Sequence, residues 1–164
     1  SRMKNKRLSS LQKLFVALVV TVFMVACSSV DCPLNNTVYA NYQLVGPVTK
    51  LNDTLTISVA RQGKDDSIVL NKDYNVESFS LPVSFSQDED VLYFYTGLHK
   101  DTVWMQKTNR PHFESTDCGL NFFHTITGIR YTRHAIDSIA INHKEIDYDA
   151  SRKHFNIFFK ENRL

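Results

Sequence analysis

The feature that most constrains the fold is a two-residue alternation of apolar and polar side chains along much of the chain. Segment DTLTISV (53–59) alternates aliphatic with hydroxyl residues, and DSIAI (137–141) and HFNIFF (154–159) follow a similar pattern. This period is typical of a β-strand that buries one face. VLYFY (91–95) is instead continuously apolar or aromatic, which predicts a strand covered on both faces.

Two special residues refine the strand prediction. TVWMQ (102–106) and FFHTITGIRYT (122–132) are rich in β-branched and aromatic residues, and Gly128 in the second segment predicts a bulge or bend. A strand near 79–86 contains Pro82, which predicts a sheet edge or a break. Further strands are predicted near 37–45 and 67–71.

Clusters of turn-forming residues separate these segments: VGP, NDT, QGKDD, SQDED, GLHKD, TNRP and INHKE. About eight short strands at this spacing indicate an antiparallel sandwich or barrel. No repeat or linker divides residues 32–164, and no window there has the period and caps of an amphipathic helix. The sequence therefore predicts an all-β fold, a single antiparallel β-sandwich of Greek-key or Ig-like type over residues 32–164.

The first 26 residues have a different character. They carry five basic and no acidic side chains, and Leu14–Ala26 is apolar except for Thr21. This run of 13 residues is shorter than the roughly 20 that a lasting helical span of a bilayer needs. A basic flank followed by a short apolar run predicts an export signal.

The end of this run, MVAC (24–27), resembles the lipobox of bacterial lipoproteins, although Met24 stands where leucine is usual. The resemblance implies a lipoprotein signal peptide over residues 1–26, acylation of Cys27, and a tether over residues 27–31. Two or more acyl chains would hold such a chain stably on a membrane. The alternative is an ordinary buried or disulfide-bonded thiol behind a secretory or membrane-spanning segment.

The residues behind Cys27 bear on which membrane would hold the chain. Ser28 stands where an aspartate would resemble an inner-membrane retention signal, so the outer membrane is predicted. Asp31 is the only acidic residue before Cys32, whereas surface export is associated with an acidic run. The periplasmic leaflet is therefore favoured over the cell surface.

Removal of residues 1–26 changes the charge balance. The remaining 138 residues hold 14 basic and 17 acidic side chains, a net charge of −3. Electrostatic binding to a polyanion needs a basic excess. No nucleic acid partner is therefore expected, and 138 residues are enough for one domain with its own core.

Two cysteines remain once Cys27 is lipidated, and an even pair in an oxidising compartment predicts a Cys32–Cys118 disulfide. Its loop of about 86 residues would stabilise the fold by at most roughly 4–5 kcal/mol. The alternative is a metal site, because His112 and His124 flank Cys118. Their spacing matches no structural zinc pattern, so no metal and no cofactor is expected.

Catalytic motifs are lacking in the sequence: it contains no nucleophile elbow, phosphate loop, zincin motif or EF-hand loop. His112, Glu114, Asp117 and His124 would supply an imidazole with carboxylates for a hydrolase. The sequence alone does not place these four side chains within hydrogen-bond reach of one another. The chain is therefore expected not to be an enzyme.

Two other groups point to ligand binding. Asp88, Glu89 and Asp90 would offer oxygen ligands to calcium, although a solvated loop is the ordinary role of such a run. Trp104, with Tyr93, Tyr95 and His99, would form an aromatic platform for a sugar, although core packing is the commoner role of such residues.

The triplet D-[S/T]-aliphatic recurs four times, and its hydroxyl residues are Thr54, Ser67, Thr102 and Ser138. It resembles the acceptor motif for protein O-glycosylation on exported proteins of some Gram-negative anaerobes. The resemblance implies modification of at least one of the four hydroxyls. The alternative is that the aspartate closes a turn and the hydroxyl residue opens a strand.

Several blocks resemble a family of uncharacterised lipoproteins from gut-type Gram-negative bacteria: CSSVDCPLNN, DTLTISV, FSLPVSF, DTVWMQKTNRPHFESTDCG, FFHTITGIRYTRHAIDSIAIN and HFNIFFK. The resemblance covers residues 24–160 and implies a lipidated envelope protein of β type. It supplies no catalytic or ligand residues.

Three functions are compatible with the sequence. The first is a membrane-anchored, non-enzymatic envelope module that binds a protein partner or serves a larger complex. The second is a ligand-binding sandwich for a glycan or calcium, and the third is a hydrolase.

Overall fold

The computed structural model describes residues 38–163, together with the single residue Phe15. Within residues 38–163 the chain forms ten β-strands. They are Tyr39–Leu44 (β1), Leu55–Arg61 (β2), Lys64–Asp73 (β3), Ser78–Pro82 (β4), Glu89–Thr96 (β5), His99–Ser115 (β6), Gly119–Tyr131 (β7), Ile136–Ile141 (β8), Glu145–Ile146 (β9) and Phe155–Phe159 (β10).

The strands form two sheets. One has four strands in the order β4-β1-β10-β8, and the other has six in the order β3-β2-β5-β6-β7-β9. The sheets pack on each other, which confirms the predicted β-sandwich. Neighbouring strands are antiparallel except for β1 and β10, which run parallel with Tyr42 opposite Phe155. These two strands lie at opposite ends of the described chain, so no short connection forces them to be antiparallel.

An aromatic cluster joins the inner faces of the two sheets. The ring of Tyr42 stacks on Phe79 and Phe155 of its own sheet, with centroids 4.9 and 4.7 Å apart. It also meets Phe94 of the six-stranded sheet edge-on at 6.4 Å. Aromatic pairs of this kind stabilise by about 0.5–1.5 kcal/mol each beyond their area burial. The cluster therefore fixes how the sheets sit on each other.

A buried ion pair lies beside this cluster. Lys107 Nζ is 3.4 Å from Asp90 Oδ1, and both side chains are almost completely buried. The backbone N–H of Ser84 donates to Asp90 Oδ2 at 3.1 Å, and the N–H of Val83 donates to the carbonyl of Val38 at 3.2 Å. The pair thus joins β5 and β6 to the connection after β4, which is itself tied to the start of β1.

The β6–β7 hairpin extends beyond the strand beside it. Pairing between β5 and β6 ends at Glu89 opposite Gln106, whereas β6 and β7 stay paired as far as Ser115 opposite Gly119. We call residues 107–126 the arm. Its side chains alternate between an inner face, on the side of the four-stranded sheet, and an outer face.

The structure corrects several strand predictions. The strand predicted near 79–86 is Ser78–Pro82, and the predicted turns QGKDD, SQDED and GLHKD end inside β3, β5 and β6. TNRP (108–111) and part of INHKE (141–145) are strand rather than turn, because they continue β6 and form β9. Beyond the end of β5 no strand of residues 38–163 pairs with that edge of β6, and such an edge tolerates Pro111. VLYFY (91–95) is covered on one face only, since Leu92 and Phe94 are buried whereas Tyr95 is exposed.

Two other predictions are confirmed. The pairing of β6 with β7 shifts by one residue between Gln106 opposite Gly128 and Lys107 opposite Ile126, which is the bulge predicted at Gly128. Pro82 is the last residue of β4, which is an edge strand.

Cys27 and Cys32 lie outside the described residues, so acylation, the signal peptide and the Cys32–Cys118 disulfide stay predictions. Across the part of the chain that the structure describes, no helix has the length and apolar character needed to span a membrane.

Candidate functional site

The outer face of the six-stranded sheet carries a group of aromatic and cationic side chains. Alternation along β5 directs Tyr93 and Tyr95 away from the core, opposite Thr102 and Lys100 of β6. Trp104 lies on the same face, between Val91 of β5 and Arg130 of β7. We call Tyr93, Tyr95, Lys100, Trp104 and Arg130 the aromatic face.

Cation–π contacts order the aromatic face. The guanidinium carbon of Arg130 lies 4.8 Å from the Trp104 ring centroid, and Arg130 also contacts the Glu89 carboxylate at 3.4 Å. Lys100 Nζ lies 4.3 Å from the ring centroid of Tyr93 and 5.5 Å from that of Tyr95. Such contacts are worth about 0.5–1 kcal/mol each at exposed sites. The rings are therefore held in place before any ligand arrives.

The sequence favoured core packing for these aromatic residues, and that interpretation was wrong. Trp104 and Tyr93 are half-buried on the outer face, and Tyr95 is exposed. His99 is not part of the group, because it occupies an inward position on β6 and its Nε2 contacts the carbonyl of Arg163 at 2.6 Å. Burial of Phe94 and Val103 on the other face of the same strands leaves the tyrosines and the tryptophan outward.

The hydrolase candidates are divided between the two faces of the arm. His112 lies on the outer face, where its Nε2 is 2.9 Å from Glu114 Oε1 and its ring stacks on Phe123 at 4.2 Å. His124 lies on the inner face, opposite Asn109. Asp117 is an exposed residue of the turn at the arm tip. The four residues therefore do not meet in one cleft.

His124 has the surroundings of a structural histidine. It is 1% exposed, and its Nδ1 contacts the side-chain oxygen of Asn109 at 2.7 Å. Burial, together with the smaller effect of the positive charges of Lys107 and Arg110, lowers the pKa of His124 to about 4. The imidazole is neutral at pH 7, and its burial leaves no room for a substrate.

The three acids of residues 88–90 also separate. Asp90 points inward to Lys107, whereas Glu89 points outward to Arg130 and Gln106. Asp88 is exposed and lies near Asn109. Among the described residues, no group of three histidine, cysteine or acidic side chains is placed to hold a metal ion.

An open cleft lies at one end of the sandwich, between the β2–β3 hairpin and residues 82–87. It has a volume of about 720 Å³. Its polar lining includes Arg61, Lys64, Ser84 and Ser86, and its apolar lining includes Phe85. No sequence signal indicated this cleft, because its walls come from elements that are distant in the chain.

The four candidate O-glycosylation residues lie at strands or just before them. Thr54 is exposed and immediately precedes β2, whereas Ser67, Thr102 and Ser138 are half-buried within strands. Thr102 lies in the middle of the aromatic face. Cys118, the proposed disulfide residue of the described chain, lies in the turn at the arm tip, where its N–H donates to Ser115 Oγ at 3.2 Å.

Residues 54–159 match a protein family described as a family of unknown function (DUF6452). This range begins just before β2 and ends with β10, so it contains the whole six-stranded sheet, the aromatic face and the arm. No curated protein and no solved structure matches the chain.

Proposed function

The chain belongs to the family of unknown function DUF6452, and from that premise we propose that it is a membrane-anchored envelope lipoprotein acting as a non-enzymatic binding or accessory module. The observation that carries the binding role is the aromatic face. Tyrosine, tryptophan and arginine are the residue types that dominate binding energy at protein interfaces. Here all three occur together on one sheet surface, already ordered by cation–π contacts.

The proposed partner is an envelope protein. A sheet surface offers a broad contact area, whereas small ligands are usually enclosed by a concave site. The net charge of −3 for residues 27–164 supports a partner other than nucleic acid. Separation of His112 and His124 onto opposite faces of the arm supports a role without catalysis.

The proposed anchor is lipid on Cys27 after removal of residues 1–26, on the periplasmic leaflet of the outer membrane of a gut-type Gram-negative bacterium. A Cys27→Ser variant is expected to move from the membrane fraction to the soluble fraction of the source cells. A Cys32→Ser variant should stay in the membrane and lose the proposed bridge to Cys118. Equal membrane retention of the Cys27→Ser chain would reject the anchor.

The binding role is tested by in-cell cross-linking of the full chain in its native envelope, followed by mass spectrometry. Tyr95→Ala and Trp104→Ala remove rings from the aromatic face. Tyr39→Ala is a matched control, because Tyr39 is a tyrosine of similar exposure on the other sheet, 43% against 38% for Tyr95. The wild-type and Tyr39→Ala chains should recover the same partner, and the other two variants at least about tenfold less, which is the effect of losing 1.4 kcal/mol.

Two results would reject this assignment. Equal recovery by all variants would place the contact elsewhere, and recovery of the chain without any partner would remove the accessory role. Melting temperatures of the variants exclude unfolding as the cause of a loss.

The alternative function is glycan binding on the same face, since exposed tyrosine and tryptophan rings also stack on sugars. A thermal shift with oligosaccharides that the Trp104→Ala variant loses would favour it. The calcium version of this alternative has less support, because Glu89 and Asp90 point to opposite faces of the sheet. A melting temperature unchanged by millimolar Ca²⁺ would remove it.

A further inference from the structure

The cleft between the β2–β3 hairpin and residues 82–87 has the dimensions of a small-molecule site. Its volume of about 720 Å³ lies within the range of roughly 300–1,000 Å³ that is typical of ligand pockets. Its walls come from both sheets, because β2 and β3 supply one side and the end of β4 with the connection after it supplies the other. The residues of the aromatic face are not part of its lining, so the cleft is a separate surface of the fold.

The floor of the cleft is aliphatic. Val59 and Val69 are partly buried and pack against the core between the sheets, and Val83 on the opposite wall is buried. The ring of Pro82 adds to this surface. Burial of apolar surface of this kind stabilises a bound alkyl chain by about 0.8 kcal/mol for each methylene group that leaves water.

Phe85 forms a wall that is already held in place. Its side chain is 57% exposed, and its ring stacks on Phe122 of β7 with centroids 4.9 Å apart and an angle of 8° between the planes. A ring fixed by such a contact loses little further freedom when a ligand packs against it. The cleft therefore offers a preformed apolar channel.

The charged groups that line the cleft are cationic. Arg61 and Lys64 contribute to its rim, and among the described residues that line it there is no aspartate or glutamate. Arg61 Nε donates to the carbonyl of Asp65 at 3.0 Å, which orients the guanidinium. Its two Nη groups have no hydrogen-bond or ion-pair partner within residues 38–163. A guanidinium in this state can hold a carboxylate by two parallel hydrogen bonds.

Two serines add a hydroxyl donor to the same cleft. The Oγ atoms of Ser84 and Ser86 are 3.0 Å apart, and one hydroxyl proton lies between them. Whichever serine supplies that proton, the hydroxyl of the other keeps its own proton for another acceptor. The N–H of Ser84 is bonded to Asp90 at 3.1 Å, which fixes the position of this pair. The cleft thus combines cations and a neutral donor with an aliphatic floor.

We propose that this cleft binds a free amphiphile of the fatty-acid class, with one carboxylate headgroup and an alkyl chain of medium length. Arg61 and Lys64 hold the carboxylate, and the Ser84–Ser86 pair donates to it. The valines and Phe85 cover the alkyl chain. The proposal goes beyond the binding role of the aromatic face and does not depend on it, so the failure of either leaves the other unaffected.

Amide NMR of the full purified chain, titrated with octanoate below its micelle-forming concentration, tests the proposal. We expect saturable shifts of the amide signals of residues 61–64 and 83–87. Octan-1-ol and octylammonium have the same chain length without the negative charge, and each should bind at least about tenfold more weakly. Hexanoate has two fewer methylene groups and should bind at least about threefold more weakly.

Substitutions separate the headgroup contact from the apolar contact. Arg61→Gln should weaken octanoate binding at least about tenfold. Lys72→Gln is the matched control, because Lys72 is an exposed cation of β3 outside the cleft. Phe85→Ala should weaken binding at least about threefold. Phe113→Ala is its control, since Phe113 is 63% exposed and does not line the cleft.

Four results would overturn the proposal: no saturable shifts, shifts confined to other parts of the chain, equal affinity for octanoate and octan-1-ol, or unchanged binding in Arg61→Gln. The amide spectrum of each variant shows whether it is folded. If Arg61→Gln is unfolded, Lys64→Gln replaces it, because Lys64 is an exposed cation at the same rim. Unchanged octanoate binding in Lys64→Gln would then overturn the assignment of the headgroup.

Discussion

The backbone N–H of Ile136, the first residue of β8, donates a 3.0 Å hydrogen bond to the Oδ2 atom of Asp101 in β6. The same carboxylate accepts bonds from the N–H groups of Ala135 at 2.8 Å and His134 at 2.7 Å, and from Thr132 Oγ1 at 2.7 Å. One buried side chain thus fixes the crossing from the six-stranded sheet to the four-stranded sheet.

Replacement of Asp101 by asparagine is expected to lower the free energy of unfolding by about 2–4 kcal/mol. Hydrogen bonds to a charged acceptor are strong, and the side-chain NH2 group of asparagine would face backbone N–H groups that are themselves donors. Urea denaturation at pH 7 measures the loss. Asp137→Asn is the control, since the Asp137 carboxylate forms a surface ion pair with Arg133 and accepts a long, 3.4 Å hydrogen bond from Ser138 Oγ, and its replacement should cost less than about 1 kcal/mol. Equal losses in the two variants would contradict the role given to Asp101.

The Asp101 effect also has a pH dependence. Burial alone would raise the pKa of Asp101, but the hydrogen bonds from His134, Ile136 and Thr132 outweigh it and hold the pKa below its ordinary value. The stabilisation is therefore complete above the unfolded pKa of about 3.9 and is lost as the pH falls through the folded value. The difference between wild type and Asp101→Asn should shrink below about pH 4.

The buried pair of Asp90 and Lys107 predicts strong coupling between two substitutions. Lys107→Met leaves the buried Asp90 carboxylate without its cation, which typically costs about 3–5 kcal/mol. The double variant Asp90→Asn/Lys107→Met removes both charges and keeps an acceptor for Ser84. Its loss should be smaller than the sum of the single losses by at least about 1 kcal/mol in a urea double-mutant cycle. Additive losses would show that the pair does not act as a unit.

The local sequence pattern was enough to predict the sandwich, because most of its strands bury one face and so show a two-residue period, although β3 has no buried residue. The pattern misplaced the end of β6, since TNRP has turn-forming residues and only the pairing with β7 keeps Pro111 in a strand. The parallel pairing of β1 with β10 could not be predicted from local pattern either. It depends on a contact between chain segments more than 100 residues apart, for which no local signal exists.

The pKa of His124 predicts a loss of stability in mild acid. Its folded pKa of about 4 lies below the unfolded value of about 6.5, so the unfolded chain takes up the proton first as the pH falls. Stability is therefore full above about pH 6.5 and falls by up to about 1.4 kcal/mol per pH unit until about pH 4. Burial lowers the pKa of His154 as well, which adds to the same trend.

Chemical denaturation between pH 7 and pH 4.5 measures this loss, and NMR titration of the His124 ring locates the group responsible. The ring should stay neutral down to about pH 5. A titration midpoint above pH 6 would contradict the buried, uncharged state.

Replacement of Gly97 by alanine is predicted to lower the stability of the fold by an amount that depends on a neighbouring side chain. Gly97 has a φ of +57°, and a Cβ there would lie directly against the Asp53 carboxylate. Gly63 has a similar φ of +65° but nothing within 4 Å of its Cβ position. Gly63→Ala should cost about 1 kcal/mol from left-handed strain alone, and Gly97→Ala at least about 1 kcal/mol more. Thermal unfolding compares the two.

A second substitution checks the cause. Because Asp53→Ala removes the obstructing carboxylate, the Gly97→Ala/Asp53→Ala chain should lose little more than Asp53→Ala plus the strain seen in Gly63→Ala. If the extra cost persists, Asp53 is not its source.

The aromatic face shows why a site is harder to predict than a fold. Sequence reasoning grouped Trp104 with Tyr93 and Tyr95, yet it assigned them to the core because aromatic residues are usually buried. The informative signal is that Tyr93 pairs with small, polar residues on both neighbouring strands, Ser58 on β2 and Thr102 on β6. Reading it requires the strand pairing, which the sequence alone does not provide.

The O-glycosylation motif predicts one preferred acceptor. Thr54 is exposed and precedes β2, whereas Thr102 is half-buried in the fourth strand of a six-stranded sheet, directly opposite Tyr93. A modifying enzyme needs an accessible hydroxyl in a segment that it can bind, which loops provide more readily than central strands. We therefore expect a glycan on Thr54 when the full chain is made in its source cells.

Intact-mass analysis of the chain from that source tests the expectation. Thr54→Ala should remove the mass of one glycan, and Thr102→Ala should leave the mass pattern unchanged apart from the substitution. Thr108→Ala is the control for loss of an exposed threonine outside the motif. If the glycan mass survives in Thr54→Ala, the exposed hydroxyl is not the acceptor, and the Asp53-Thr54-Leu55 triplet is a turn that closes before β2.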